Sequence, residues 1–170
     1  MASKKDEGVT LKITNCGKNV KESYLQAIRD IVEKAWRLDR FHWEKGLDSK
    51  ATDGLMAENV IRAATDGNHY TFIAVQDSRV AGFLIIWQDK KLSDVFKKKY
   101  GVINWVGVDP AFQGHGIGEN LVKEGLKWFR KNNFDKVDVA TDVTNIPAIK
   151  IYEKNGFSSV YFSVTLTVNL

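Results

Sequence analysis

The chain has 170 residues, 44% of them hydrophobic, which is enough for one domain with its own core and short for two. No apolar run approaches the ~20 residues that span a bilayer, and residues 1–8 are too polar for a secretion signal, so we expect a soluble cytoplasmic protein without a membrane span. The single Cys16 excludes an internal disulfide, and the net charge of +4 suits a polyanionic ligand without requiring one.

The N-terminal part of the chain predicts one strand followed by two helices. Residues 1–8 are typical of a flexible terminus, and apolar and polar residues then alternate over 9–13 as in a strand. A capping box at Asn19 opens a helix whose apolar residues recur at steps of three and four as far as residue 35. A second helix is predicted over residues 49–65.

The middle of the chain predicts three strands. Two apolar runs, at 70–75 and 80–87, are joined by four polar residues and predict an antiparallel hairpin. We interpret the lysine-rich stretch 90–99 as a solvated loop, the alternative being a nucleic-acid or membrane surface, and we expect no nucleic-acid partner. The third apolar run, 102–108, predicts a strand that leads into a glycine-rich turn.

The last part of the chain predicts helices alternating with short strands. In order these are a helix over 117–131, a strand over 137–140, a helix that contains Pro147 and ends at Gly156, and strands over 157–161 and 164–168. Together the elements predict a single α/β domain over residues 9–170, in which about four helices flank a mixed sheet of about seven strands.

The turn before the helix at 117 indicates a ligand. A strand, a glycine-rich turn and a helix N-terminus follow one another over residues 106–118, so several backbone N–H groups converge where the helix dipole is positive. We therefore expect a phosphate or pyrophosphate there. A P-loop is excluded because Glu119 follows Gly118 where it would have lysine, and a dinucleotide-binding turn because Glu119 stands where its third glycine would be.

Two motifs resemble those of the GNAT superfamily of N-acetyltransferases. Residues 113–118 have the pattern Gln/Arg-x-x-Gly-x-Gly/Ala of the family's acetyl-CoA turn, and residues 145–157 fill every marked position of Asn-x-x-Ala-x-x-x-Tyr-x-x-x-Gly-Phe. The order of the predicted elements is also similar over the whole chain. The resemblance implies an acyltransferase that moves an acetyl group from acetyl-CoA to a primary amine by direct attack of the amine on the thioester.

The resemblance also implies how the donor is held. The backbone of the turn would bind the pyrophosphate, Gln113 would shape the turn, and a strand that splays from its neighbour at 137–140 would bond the pantetheine arm. The implied cofactor-binding residues are Val106, Val108, Gln113, Gly114, His115, Gly116, Ile117, Gly118, Asn145 and Ala148. No metal is expected, because the three histidines and one cysteine show no ligand spacing.

Tyr152 is the implied general acid, lying two helical turns beyond Asn145 and beside the thioester sulfur. A tyrosine with a pKa of about 10 can protonate a thiolate whose conjugate acid has a pKa of about 8.5. The alternative is a core tyrosine whose hydroxyl bonds a backbone carbonyl. The sequence leaves the general base open: Asn104 can only hold a water, and the side chains that could accept the proton are His42, His69, Glu44 and Asp109.

The connection between the first two helices, residues 37–48, predicts the acceptor site because it is rich in aromatic and charged residues. The run 39–42 resembles N-acetyltransferases that act on dTDP-linked 4-amino-4,6-dideoxy sugars, which implies that Arg40 and Phe41, with Asn104, bind a nucleotide-linked amino sugar. Alternatively, Phe41 and Trp43 cap the core while Arg40 pairs with an acid.

Two other functions and the oligomeric state stay open at this stage. One is acetylation of a protein N-terminus or lysine, which would favour an open acidic groove over an aromatic pocket. The other is a non-catalytic domain that binds and senses acyl-CoA. A homodimer is one assembly that the sequence leaves open.

Overall fold

A computed structural model describes residues 11–35, 42, 44, 46–166 and 168 of the chain. These residues form a single α/β domain with a mixed sheet, as predicted, built from five strands and five α-helices. In chain order the elements are β1 (Leu11–Gly17), α1 (Glu22–Ala35), α2 (Ser49–Thr65), β2 (Tyr70–Gln76), β3 (Arg79–Gln88), α3 (Lys90–Phe96), β4 (Tyr100–Val108), α4 (Ile117–Lys131), β5 (Lys136–Val139) and α5 (Ile146–Lys154), with a short 3₁₀ turn at Pro110–Phe112.

The sheet has the strand order β1-β2-β3-β4-β5. The first three neighbouring pairs are antiparallel and β4 pairs with β5 in parallel, so the chain crosses over between β4 and β5 through α4. Helices α1 and α2 cover one face, and α4 covers the other. None of the described helices is long and apolar enough to cross a membrane.

The predicted count of about seven strands and four helices is wrong in two places. The described residues of 157–161 and 164–168 form no strand. Apart from Phe157, which is partly buried, their apolar side chains are exposed, including 82% of Val160 and 89% of Leu166. Alternation of residue types marks a strand only when a neighbouring strand pairs with its backbone, and no pairing with this segment is present among the described residues.

The second difference is α3, which lies in the stretch predicted to be a loop. Asp89 caps this helix, because its Oδ1 accepts a hydrogen bond of 2.9 Å from the backbone N–H of Leu92. The helix ends at Lys97, which has a left-handed φ of +53°. Its residues are not buried, so the local cap rather than an apolar face specifies it.

Side chains from both faces of the sheet pack against glycines in β4. A Cβ on Gly107 would lie 2.6 Å from Cε1 of Phe83 on β3 and 3.3 Å from Cγ2 of Ile31 on α1. On the other face, a Cβ on Gly101 would overlap the ring of Phe129 from α4. Phe83 and Phe129 are 0% and 1% exposed, and each such buried side chain contributes about 1.5–3 kcal/mol of transfer free energy. Helices on the two faces therefore lie close to β4, the strand that leads to the glycine-rich turn.

Strand β4 is paired on both edges over only its first half. Its parallel pairing with β5 runs from Tyr100 to Ile103, which is opposite Val139, while its pairing with β3 continues to Val108. Asn104 is the extra residue of a β-bulge at the point where the two patterns diverge. We call the opening between β4 and β5 beyond Ile103 the fork.

Candidate active site

The glycine-rich turn adopts a conformation that requires glycine at two positions. Gly114 and Gly116 have φ of +83° and +74°, in the left-handed region where other residues are strained. A Cβ on either would meet no atom within 4 Å, so the turn faces open space where a ligand has room. Gly116 is also the N-cap of α4, and the N–H groups of the first turn of a helix have no partner inside the helix.

Side chains around the turn hold it against the end of β4. Gln113 Nε2 donates a hydrogen bond of 3.2 Å to the carbonyl of Val108, and His115 Nδ1 lies 3.3 Å from the carbonyl oxygen of Phe112, to which it can donate. Asp109 Oδ1 accepts from the backbone N–H of Ala111 at 2.8 Å. Asp109, one of the candidate bases, therefore caps the short turn after β4.

Ile117 and Gly118 have different structural roles at the start of α4. Ile117 is 1% exposed, so its side chain belongs to the core. A Cβ on Gly118 would lie 3.2 Å from Ile151 Cδ1 and 3.5 Å from Val108 Cγ2. The absence of a side chain at Gly118 thus lets α4 approach α5 and β4, and Val108 uses its side chain for packing while its main chain lies at the fork.

Charges next to the turn are balanced by neighbours. Glu119 in the first turn of α4 lies 2.7 Å from Lys123 Nζ and 3.6 Å from Lys154 Nζ on α5. The hydrogen bond and charge of Lys123, with a smaller contribution from Lys154, lower the pKa of this carboxyl. The two lysines therefore offset the negative charge that Glu119 brings close to the proposed anion site.

Asn145 is the N-cap of α5. Its Oδ1 accepts a hydrogen bond of 3.3 Å from the backbone N–H of Ala148, with Pro147 in the first turn. The side-chain amide NH₂ of Asn145 is the part left to contact a ligand. The described geometry accordingly gives Asn145 a structural role alongside the cofactor contact that the motif implies.

Tyr152 is a buried residue of α5. It is 7% exposed and packs edge-on against Phe157, with ring centroids 5.7 Å apart. Burial raises the pKa of Tyr152 to about 12 because the phenolate would be poorly solvated. The hydroxyl is therefore protonated at physiological pH and is available as a hydrogen-bond donor.

Two of the candidate bases are histidines that form pairs with aspartates. His42 Nε2 lies 2.9 Å from Asp53 Oδ1, and His69 Nδ1 lies 2.9 Å and 3.0 Å from the two oxygens of Asp66. The remaining ring nitrogen of His69, Nε2, lies 3.3 Å from Nδ2 of Asn104, the bulge residue at the fork. The structure thereby brings together His69 and Asn104, which the sequence analysis considered separately.

Asp66 is a member of this cluster that the sequence analysis missed. Partial desolvation raises the pKa of Asp66. Hydrogen bonds from the His69 ring and from the backbone N–H groups of Asn68 and His69, together with the charge of His69, lower it. The lowering effects are larger, so the pKa of Asp66 is lowered. The spacing Asp-x-x-His was the available signal. It did not show that Asn104, 35 residues further on, would meet the same ring.

Other predicted sites fall outside this cluster. Arg40 and Phe41 lie outside the described residues, so their acceptor contacts stay predictions. A cavity of about 310 Å³ lies between α4, β5 and residues 155–157, and none of the predicted site residues lines it. Among the described residues there is no group of three or more His, Cys, Asp or Glu side chains that could hold a metal ion.

A glycine-rich turn at the end of one strand of a forked mixed sheet is the arrangement that the resemblance to N-acetyltransferases implied. The family model described as Acetyltransferase (GNAT) family matches residues 25–157, which is most of the chain. The chain therefore belongs to this family, and the resemblance stated from the sequence is confirmed.

Comparison with individual proteins gives shorter or more distant similarities. The chain is 32% identical over 88 residues to a mycothiol acetyltransferase of Catenulispora acidiphila, covering 45% of this chain and 28% of that protein. It is 38% identical over 66 residues to N-alpha-acetyltransferase 30 of Homo sapiens, covering 38% of this chain and 18% of that protein. The chain spans less than a third of the length of these curated relatives.

A solved structure shares the fold over nearly the whole chain. An aminoglycoside N-acetyltransferase in complex with CoA superposes with a TM-score of 0.62 at 16% identity, covering 97% of this chain and 99% of that chain. At this identity the similarity shows a common fold.

Proposed function

We propose that this protein transfers an acetyl group from acetyl-CoA to a primary amine of a small molecule. The observation that carries the proposal is the glycine-rich turn at the end of a strand whose edge is open from Asn104 to Val108. A single ligand with a pyrophosphate at one end and an amide-bearing arm at the other would use both features.

Acetyl-CoA fits these features in a defined direction. Its pyrophosphate would accept hydrogen bonds from the backbone of Gly114–Gly118, and its pantetheine amides would bond the open edge of β4. The thioester would then lie towards the closed end of the fork, where Ile103 pairs with Val139. The amide of Asn145 would contact the same arm from the start of α5.

The role of Tyr152 follows from its pKa. When a neutral amine attacks the thioester, the carbon–sulfur bond breaks and leaves a thiolate whose conjugate acid has a pKa of about 8.5 if it resembles cysteine. Complete proton transfer from a phenol with a pKa of about 12 costs about 5 kcal/mol. Tyr152 therefore stabilises the thiolate mainly by donating a hydrogen bond, and the proton that completes the thiol is the one lost by the amine, delivered through solvent.

The proposed acceptor is a small molecule that carries an amino sugar. The aromatic and basic residues Arg40 and Phe41 suit a sugar or base plane next to phosphates, so a nucleotide-linked amino sugar is the proposed member of this class. The names of the mycothiol and aminoglycoside acetyltransferases support a small-molecule acceptor. The N-terminal amine of a protein is the second candidate, which the similarity to N-alpha-acetyltransferase 30 favours.

A thiol-release assay with acetyl-CoA and a panel of amines tests the proposal. The panel contains nucleotide-linked 4-amino sugars, aminoglycosides and peptides with free N-termini. Turnover of the sugar amines is expected, with a lower rate for Arg40→Ala than for the control Arg130→Ala on the exposed end of α4. Turnover of peptides alone would support the second candidate, and binding of acetyl-CoA without turnover of any amine would support a sensor domain.

A further inference from the structure

A hydrogen-bonded chain of three side chains leads from the end of α2 to the fork. Asp66 follows α2, His69 precedes β2, and Asn104 is the bulge residue of β4. The two contacts of the His69 ring, 2.9 Å to Asp66 and 3.3 Å to Asn104, use its two different nitrogens. Both nitrogens of the His69 imidazole are therefore hydrogen-bonded.

The ring of His69 is positioned and mostly shielded from water. Its side chain is 12% exposed, and its centroid lies 5.6 Å from the ring of Trp87 on β3. Asp66 is the charged group in contact with it, while the groups that approach from β3 and β4, Trp87 and Asn104, are neutral.

Asp66 also decides which nitrogen can accept a proton. Because a carboxylate is an acceptor, Nδ1 of His69 carries the hydrogen that lies between them, and Nε2 is left with a lone pair. Nε2 is the nitrogen that faces Asn104, whose amide Nδ2 donates to it. Nε2 has one lone pair, so an acceptor amine would displace this amide donor and bind at the same position.

The location coincides with the point that the thioester reaches in the proposed function. Asn104 is the first residue of β4 beyond the Ile103–Val139 pair, at the closed end of the fork. We propose that His69, oriented by Asp66, is the general base that removes the proton from the acceptor amine. This inference rests on the proposed function, because it needs an amine and a thioester at the fork.

The step balances without a further reactant. The amine nitrogen forms a bond to the thioester carbonyl carbon, and one of its protons passes to Nε2 of His69. Collapse of the tetrahedral intermediate breaks the carbon–sulfur bond and releases a thiolate that accepts a hydrogen bond from Tyr152. The imidazolium then returns its proton through solvent to the sulfur, which leaves an amide and the free thiol.

The decisive experiment compares His69→Gln with the parent protein in the thiol-release assay, using the best amine found in the panel. We expect kcat/KM for the amine to fall about 100-fold or more, the range of general-base catalysis. The Kd for CoA should change less than about twofold, because His69 lies away from the phosphate turn. In His69→Ala, added imidazole should restore part of the lost rate.

Asp66→Asn tests whether Asp66 orients the ring of His69, through a measurement that a purely structural role of Asp66 would not change. Without the carboxylate acceptor the hydrogen is no longer fixed on Nδ1, so kcat for the amine should fall about 10-fold while the Kd for CoA stays unchanged, and Asp66→Glu should recover part of kcat. Asp77→Asn, at an exposed residue of the β2–β3 turn, is the matched control and should leave kcat unchanged.

The outcomes separate this inference from the proposed function. If the parent protein releases no thiol with any amine, the proposed function fails. If the parent is active and His69→Gln retains its kcat/KM and pH profile, only the role of His69 is overturned. The same conclusion follows if His69→Gln loses activity but imidazole gives no rescue in His69→Ala and Asp66→Asn leaves kcat unchanged, since the ring then serves structure alone.

Discussion

Ile103 of β4 pairs with Val139 of β5, and the parallel ladder between these two strands ends at that pair. Beyond it, β4 stays attached to β3 as far as Val108 while its other edge opens into the fork. The end of the ladder therefore sets the depth of the cleft between the two strands. The glycine-rich turn lies at the open end of the cleft, and Asn104 with His69 lies at its closed end.

Gly116→Ala should weaken CoA binding. Alanine at a φ of +74° costs about 1–2 kcal/mol, which corresponds to about 5- to 30-fold in Kd if the turn must return to this conformation to bind. Gly54→Ala is the control, because this α2 glycine has space for a Cβ and no positive φ, and it should stabilise the fold by about 0.5–1 kcal/mol. Titration calorimetry and thermal unfolding measure both effects, and an unchanged Kd in Gly116→Ala would contradict the assignment of the turn.

Asn145 can be dissected by comparing two substitutions. Asn145→Ala removes the cap of α5 and should lower the free energy of unfolding by about 0.5–2 kcal/mol. Asn145→Asp keeps an acceptor for the Ala148 N–H and should retain stability, yet it lacks the amide NH₂ and should bind CoA about 2- to 10-fold more weakly. Equal CoA affinity in Asn145→Asp and the parent would leave Asn145 with the capping role alone.

Tyr152→Phe should separate the hydroxyl from the ring. The phenylalanine keeps the contact with Phe157, so thermal stability should change little, while kcat should fall about 100-fold through loss of the donor to the thiolate. Tyr161→Phe, at a tyrosine that is 78% exposed, is the matched control and should retain full turnover. Full turnover by Tyr152→Phe would exclude the catalytic role and favour the core interpretation.

The same tyrosine predicts an alkaline loss of stability. Its pKa is 10.0 in the unfolded chain and about 12 in the fold, so above pH 10 the unfolded chain releases a proton that the folded protein keeps. The free energy of unfolding should therefore fall as pH rises from about 10 to 12, by an amount on the order of 2–3 kcal/mol, and Tyr152→Phe should lack this component. Denaturant unfolding of both proteins at pH 9 and pH 11.5 measures the difference; parallel losses would show that Tyr152 does not contribute.

Local features of the chain were predictable from the sequence. The helices at 49–65 and 117–131 have the predicted bounds, because the apolar repeat of each helix and the residues that flank it are neighbours in the sequence. The turn was predictable for the same reason, since glycine is the residue that adopts the φ of Gly114 and Gly116 without strain. These local signals, with the Tyr152 segment, also identified the class of protein.

The tertiary structure decided what depends on partners distant in sequence. Three features depend on which elements pack or pair with one another. They are the end of the β4–β5 pairing at Ile103, the lack of strands among the described residues after 156, and the close packing at Gly118. The contact between His69 and Asn104 joins residues 35 positions apart, which no periodicity encodes. The sequence by itself therefore determined the glycine-rich turn and the family, whereas the fork and the residues at its closed end were decided by the folding of distant segments onto one another.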